Sequence, residues 1–162
     1  MRYALFPMLF ALGCGGPQSS RTAGDDELRS LTETRALTLV AEAMTDGGVS
    51  RGARFAVSIA PEESLEVDVR LADTRFGIEW VSAQDRLDHG DAIPEPASGG
   101  ELQILPGRGD DENIEVLILD AQRYRYDPRQ ERVYSGSASP SEVEARLRRD
   151  VQDFLEYCRG QL

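Results

Sequence analysis

The chain has 162 residues, 40% of them hydrophobic, with 29 acidic residues against 18 basic ones and a formal charge of −11. That length suits one domain with a sizeable core. The acidic excess excludes nucleic acid and anionic lipid headgroups as partners, because both reward clustered positive charge.

Met1-Arg2 is followed by an apolar run from Tyr3 to Leu12 and then by Gly13-Cys14-Gly15-Gly16. An early positive charge, about ten apolar residues and then small ones is the layout of a secretory signal. The run is too short to cross a bilayer, which takes about 20 apolar residues. Ala11-Leu12-Gly13-Cys14 resembles the lipobox of bacterial lipoproteins, although Ala11 and Leu12 stand where that family more usually has leucine and a small residue. The resemblance implies a signal peptide over residues 1–13, and cleavage before Cys14, which is then lipidated. It also implies a membrane partner reached through lipid, each buried methylene contributing about 0.8 kcal/mol. Gly15 in place of an aspartate implies sorting to the outer membrane, facing the periplasm. Loss of Met1 to Gly13 removes one arginine and no acid, so the net charge moves from −11 to −12.

Residues 14–24 are mostly small and polar and predict a tether, leaving 25–162 as a single globular domain. Acidic residues at Asp25-Asp26-Glu27, helical spacing of Leu37, Val40, Ala41 and Met44, and Gly47-Gly48 beyond them predict a helix from Asp26 to Met44. A strand is predicted over Arg54 to Ile59. Leu65, Val67, Val69 and Leu71 alternate with charged residues, and Phe76, Ile78 and Trp80 alternate after the turn Ala72 to Arg75. This predicts a hairpin in which Leu71, Val69 and Val67 face Phe76, Ile78 and Trp80 on one buried side.

Asp88 to Asn113 reads as loops around one brief strand at Leu102 to Leu105. A long strand is predicted over Ile114 to Tyr126, central where Val116 to Leu119 are continuously apolar, with a short strand following at Arg132 to Tyr134. Ser139-Pro140-Ser141-Glu142 has the spacing of a capping box with a first-turn proline. Beyond it, Val143, Leu147, Val151, Phe154, Leu155, Tyr157 and Cys158 share one helical face. The pattern as a whole predicts an α+β domain whose mixed or mostly antiparallel sheet of five or six strands carries a helix from each end of the chain.

In the hairpin register Asp68 lies opposite Glu79, a like-charge pair that is unfavourable unless offset. Arg70 or Arg125 would offset it on a solvated face; alternatively Mg²⁺ or Ca²⁺, which prefer carboxylate oxygens, would do so. An aspartate on one strand and Glu79-Trp80-Val81 on the next, after a leading helix, resembles the core of the restriction-endonuclease-like nuclease fold. Val81 stands where that pattern has a lysine to orient the attacking water. The resemblance therefore implies a metal-binding, degenerate nuclease-like or hydrolytic domain using Asp68 and Glu79.

His89 is the sole histidine, too few for an ordinary zinc site, and no nucleophile elbow, phosphate loop or dinucleotide fingerprint occurs. Cys158, on the apolar face of the last helix, reads as an inert buried thiol. Tyr124, Tyr126 and Tyr134, with Arg123, Arg125 and Arg132, form the only aromatic and cationic concentration, a residue mix enriched at protein interfaces. They mark an edge for binding a protein of the cell envelope, or else tyrosines packed beneath the last helix. A non-enzymatic envelope lipoprotein with an accessory or protein-binding role, without cofactor, is the leading expectation.

Overall fold

The computed structural model describes residues 28–96, 99–129 and 138–161. The signal, Cys14, the tether and the strand expected at Arg132 to Tyr134 lie outside them.

The described residues form an α+β domain in three layers. In chain order the elements are β1 (Arg29–Ser30), α1 (Glu33–Asp46), β2 (Arg51–Gly52), β3 (Phe55–Ala60), β4 (Glu63–Val67), β5 (Val69–Leu71) and β6 (Phe76–Val81). They continue with α2 (Ala83–His89), β7 (Ile104–Pro106), β8 (Glu115–Asp120), β9 (Arg125–Tyr126) and α3 (Pro140–Gly160). A mixed five-stranded sheet has the order β2-β5-β6-β8-β7, and β6–β8 is its one parallel pair. Two antiparallel ribbons, β3-β4 and β1-β9, complete the fold.

Alternation along the central strands divides the core. Phe76, Ile78, Trp80, Leu117 and Leu119 pack with Leu39, Val40 and Met44 of α1 and with Leu147, Val151 and Phe154 of α3. Val81, Val116 and Ile118 point the other way, onto Val57, Ile59, Leu65 and Val67 of the β3-β4 ribbon. With both faces covered, β6 is buried along its whole length, as its parallel partner requires. Gly77 of β6 lets the ribbon approach: a Cβ there would lie 2.8 Å from Val67 Cγ1 and 3.0 Å from the Phe55 ring.

Helix α3 starts where the sequence places it. Ser139 accepts from the Glu142 N–H, and the Glu142 carboxylate accepts from the Ser139 N–H. The two long helices pack together, clamped by a two-toothed Arg35–Glu144 pair at 2.8 and 2.6 Å and by Arg148–Glu42 at 2.7 Å.

Four expectations need correction. First, the leading helix begins after Thr32, whose hydroxyl caps it, because Arg29 and Ser30 pair with β9 and the Leu31 N–H donates to the Tyr124 carbonyl. Second, the strand from Leu65 to Leu71 is broken at Asp68. Val69 pairs with Ile78 as expected, but Leu65 and Val67 belong to the ribbon, so Val67 lies in the opposite core from Trp80. Third, the strand from Ile114 ends at Asp120, whose side chain accepts from the Gln122 N–H and turns the chain into a 3₁₀ turn over Ala121–Tyr124. Fourth, the stretch expected as loops from Asp88 opens inside a short helix, α2, which ends at His89. Ser82 and Asp85 cap it reciprocally, a spacing present in the sequence but too briefly followed by apolar residues to stand out.

Candidate functional site

Asp68 and Glu79 are brought together, as the hairpin register predicts, but on a covered face. They are only 7% and 5% exposed, because the β3-β4 ribbon lies over that side of the sheet. The Asp68 N–H donates to Glu79 Oε2 at 2.8 Å, and Asp68 Oδ2 accepts from the Trp80 N–H at 3.3 Å. The cation that offsets them is Arg54, whose guanidinium donates to Asp68 Oδ1 at 2.7 Å and lies 3.9 Å from Glu33. Arg70 instead donates to the Thr74 carbonyl and covers the Phe55 ring, and Arg125 sits on the separate β1-β9 ribbon. Around the pair is a small cleft of about 180 Å³, also lined by Glu33, Glu66 and Asp85.

Burial, reinforced by the neighbouring Asp68 carboxylate, pushes Glu79 up to about 9. Burial also raises Asp68, against the pull of the Trp80 N–H and Arg54. Glu79 is therefore a neutral acid at pH 7, and Arg54 stands against the Asp68 carboxyl. The like-charge conflict is relieved by a proton and a guanidinium. For both groups to ligate Mg²⁺ or Ca²⁺, Glu79 would have to lose that proton and Arg54 would have to be displaced. Among the described residues no three of His, Cys, Asp and Glu converge as a metal-binding group. Val81, at the position of the nuclease lysine, is fully buried in the ribbon-side core.

The tyrosine and arginine segment folds differently from an exposed alternating strand. Tyr124 is fully buried, its hydroxyl donates to Asp150 Oδ2 at 2.7 Å, and its ring lies 5.6 Å from that of Trp80. Burial and the Asp150 charge hold the phenol well above its ordinary range. Tyr126 and Arg125 are half-buried on β9. The sequence left both arrangements open; Tyr124 takes the one beneath the last helix, where it anchors the turn that carries Arg123.

Arg123 opens onto a cleft of about 480 Å³ at the side of α3, lined by Gly99, Gly100, Arg146, Arg149, Asp150 and Asp153 as well. Arg123 donates to the carbonyls of Gly99 and Glu101 at 3.0 and 3.3 Å, and Arg146 donates to the Arg123 carbonyl at 3.1 Å. Arg149 is exposed and makes no ion pair or hydrogen bond among the described residues. Sequence reading missed these residues of α3. The signal was their spacing: positions 146, 149, 150 and 153 are three, four and seven apart, one stripe of a helix.

The remaining candidates have structural partners. His89 Nδ1 lies 2.8 Å from Glu63 Oε1, joining α2 to the ribbon. Cys158 is buried and pushed up to about 12 by burial, as an inert thiol should be. No described helix is long and apolar enough to cross a membrane. Compared with known proteins, the chain matches no family model, no curated protein and no solved structure.

Proposed function

We propose that this chain is an envelope lipoprotein, held through lipid on Cys14 at the periplasmic side of the outer membrane. Its α+β domain acts as a non-enzymatic accessory module that binds a protein partner. The observation that supports the binding role is the cleft of Arg123, Arg146 and Arg149. In a chain of charge −11, three guanidiniums face one opening, and their hydrogen bonds go to neutral carbonyls or to nothing described. Arginine is enriched among the residues that anchor protein partners, and here Arg123 and Arg146 are half-buried while Arg149 is exposed.

Two measurements test the reading. Mass spectrometry of protein from its native cells should find a lipidated N-terminus at Cys14. A photo-crosslinking residue at position 100 of the full chain, which lines the same cleft and where an added side chain meets nothing within 4 Å, should trap a discrete envelope protein, whereas one at Glu62, an exposed turn position, should not. An unmodified N-terminus recovered from the cytosol, or equal trapping at both positions, overturns the reading.

The second reading is a divalent-cation site at Asp68 and Glu79, which their adjacency in a carboxylate-lined cleft favours. Calorimetric titration with Mg²⁺, Ca²⁺ and Mn²⁺ tests it. No heat, or heat unchanged in Asp68→Ala, removes it.

A further inference from the structure

We propose that the cleft between α3 and the Arg123 turn is a recognition site for a single carboxylate group of a polypeptide. The proposal deepens the partner-binding reading above and rests on it only for the source of the carboxylate. Three features of the cleft carry the inference.

Its charge sets the valence of the ligand. Arg123, Arg146 and Arg149 line the cleft together with Asp150 and Asp153, so among the lining side chains three formal positive charges stand against two negative ones; Glu142, whose carboxylate also feels Arg146, lies outside that lining. A monoanion balances the excess of the lining, whereas a phosphate monoester would leave about one negative charge unmatched beside Asp153.

The donors suit a carboxylate. A guanidinium presents a planar fork of N–H groups that matches the two oxygens of a carboxylate, and such charge-assisted bonds are about twice as strong as neutral ones. Arg149 is exposed with its whole fork free of described partners. Arg146 uses Nη1 toward the Arg123 carbonyl, and among the described residues its Nε and Nη2 carry no bond.

The walls of the cleft are pre-set. Arg146 and Arg149 are one turn apart on α3, and Asp150, directly after Arg149, is fixed by the Tyr124 hydroxyl at 2.7 Å. Arg123 is tied to two carbonyls of the loop on the other wall. A ligand carboxylate therefore meets donors whose backbone positions are already held, which lowers the ordering cost of binding. Its source is an acidic side chain or the C-terminus of the partner chain; the chemistry recognised is the same.

The test uses the full mature protein in detergent micelles, with arginine Nε–H resonances followed by NMR. The probes are an N-acetylated peptide amide with one glutamate, a peptide with a free C-terminus and no acidic side chain, and inorganic phosphate. Saturable shifts of Arg146 and Arg149 with a carboxylate probe are expected, at an affinity at least tenfold tighter than for phosphate. The tighter peptide identifies the source. Arg149→Gln should weaken that binding at least tenfold; this residue is exposed, so the fold is not at risk. Asp153→Asn should raise the affinity for phosphate toward that for carboxylate. Shifts that do not saturate, phosphate bound as tightly as carboxylate, or binding unchanged in Arg149→Gln each overturn the proposal. If no probe binds while residue 100 still crosslinks a partner, the carboxylate proposal fails and the partner reading stands. If a carboxylate binds but no partner is trapped, the site stands and the partner reading fails.

Discussion

Tyr124 and Asp150 meet across the core: the phenolic hydroxyl donates to Oδ2 over 2.7 Å, tying the turn after β8 to the middle of α3. Tyr124 is fully buried and Asp150 is 7% exposed, so neither group has ready access to water as a substitute. The same bond fixes the separation between Arg123 on the turn and Arg146 and Arg149 on the helix.

Tyr124→Phe keeps the ring and removes the donor. Leaving a buried carboxylate short of one hydrogen bond costs about 1–3 kcal/mol. Urea unfolding should show the midpoint falling with the slope unchanged. A cost below about 0.5 kcal/mol would mean that water replaces the hydroxyl.

Glu79 makes stability fall as pH rises. Its folded value, about 9, lies above its ordinary value of 4.5. Below 4.5 both folded and unfolded chains hold the proton, and Glu79 contributes no pH dependence. Between 4.5 and 9 only the folded chain holds it, so folding loses up to about 1.4 kcal/mol per pH unit. Glu79→Gln keeps a neutral acceptor for the Asp68 N–H and removes the titration. Its stability should match the parent near pH 4.5 and exceed it by more than about 1 kcal/mol at pH 8. Parallel profiles for the two proteins would show that Glu79 is ionised in the fold.

Arg54 acts on Asp68 through charge. Its side chain is 51% exposed, so solvent screens the pair, and Arg54→Gln should cost about 0.5–1 kcal/mol at pH 7. In an Asp68→Asn background the same change should cost less, only the longer contact with Glu33 remaining. Equal costs in the two backgrounds, measured as a double-mutant cycle, would exclude the ion pair.

Gly107→Ala should destabilise through backbone crowding. A Cβ at Gly107 would lie 2.2 Å from the Asp111 carbonyl oxygen and 3.0 Å from Val57. The turn that brings Asp111 Oδ2 to the Ser58 N–H at 2.8 Å must then shift. A loss of about 1–3 kcal/mol is expected from thermal unfolding, and an unchanged midpoint would count against the turn as described.

Cys158 should resist alkylation in the folded protein. Burial pushes its thiol up to about 12, leaving almost no thiolate at pH 8. Iodoacetamide should label it only after denaturation; labelling of the native protein at the same rate would show an open helix face.

Much of the fold was legible in the sequence because it depends on short-range pattern. The capping box at Ser139 and the apolar stripe of α3 need only neighbours within a turn or two of helix. The pairing of Val69 with Ile78, and with it the meeting of Asp68 and Glu79, follows from alternation across one tight turn. The break at Asp68 was not legible, because Leu65 to Leu71 alternates equally well whether its first half pairs with β6 or folds back with β3. Tyr124 and Tyr126 likewise alternate in the sequence, and only the cap formed by Asp120 takes the chain out of the strand.

The acidic balance, the α+β class, the last helix and the adjacency of two carboxylates thus follow from residue order alone, since each rests on local periodicity or on summed charge. Which side of the sheet is wet did not follow. The β3-β4 ribbon is the chain just before Asp68, but no local pattern says that it folds back over the sheet, and its cover over Glu79 turns an expected surface anion into a buried neutral acid. The arginine cleft is of the same kind: Arg123 and Arg146 are 23 residues apart in sequence, and only packing of α3 against the turn after β8 sets their charges around one opening.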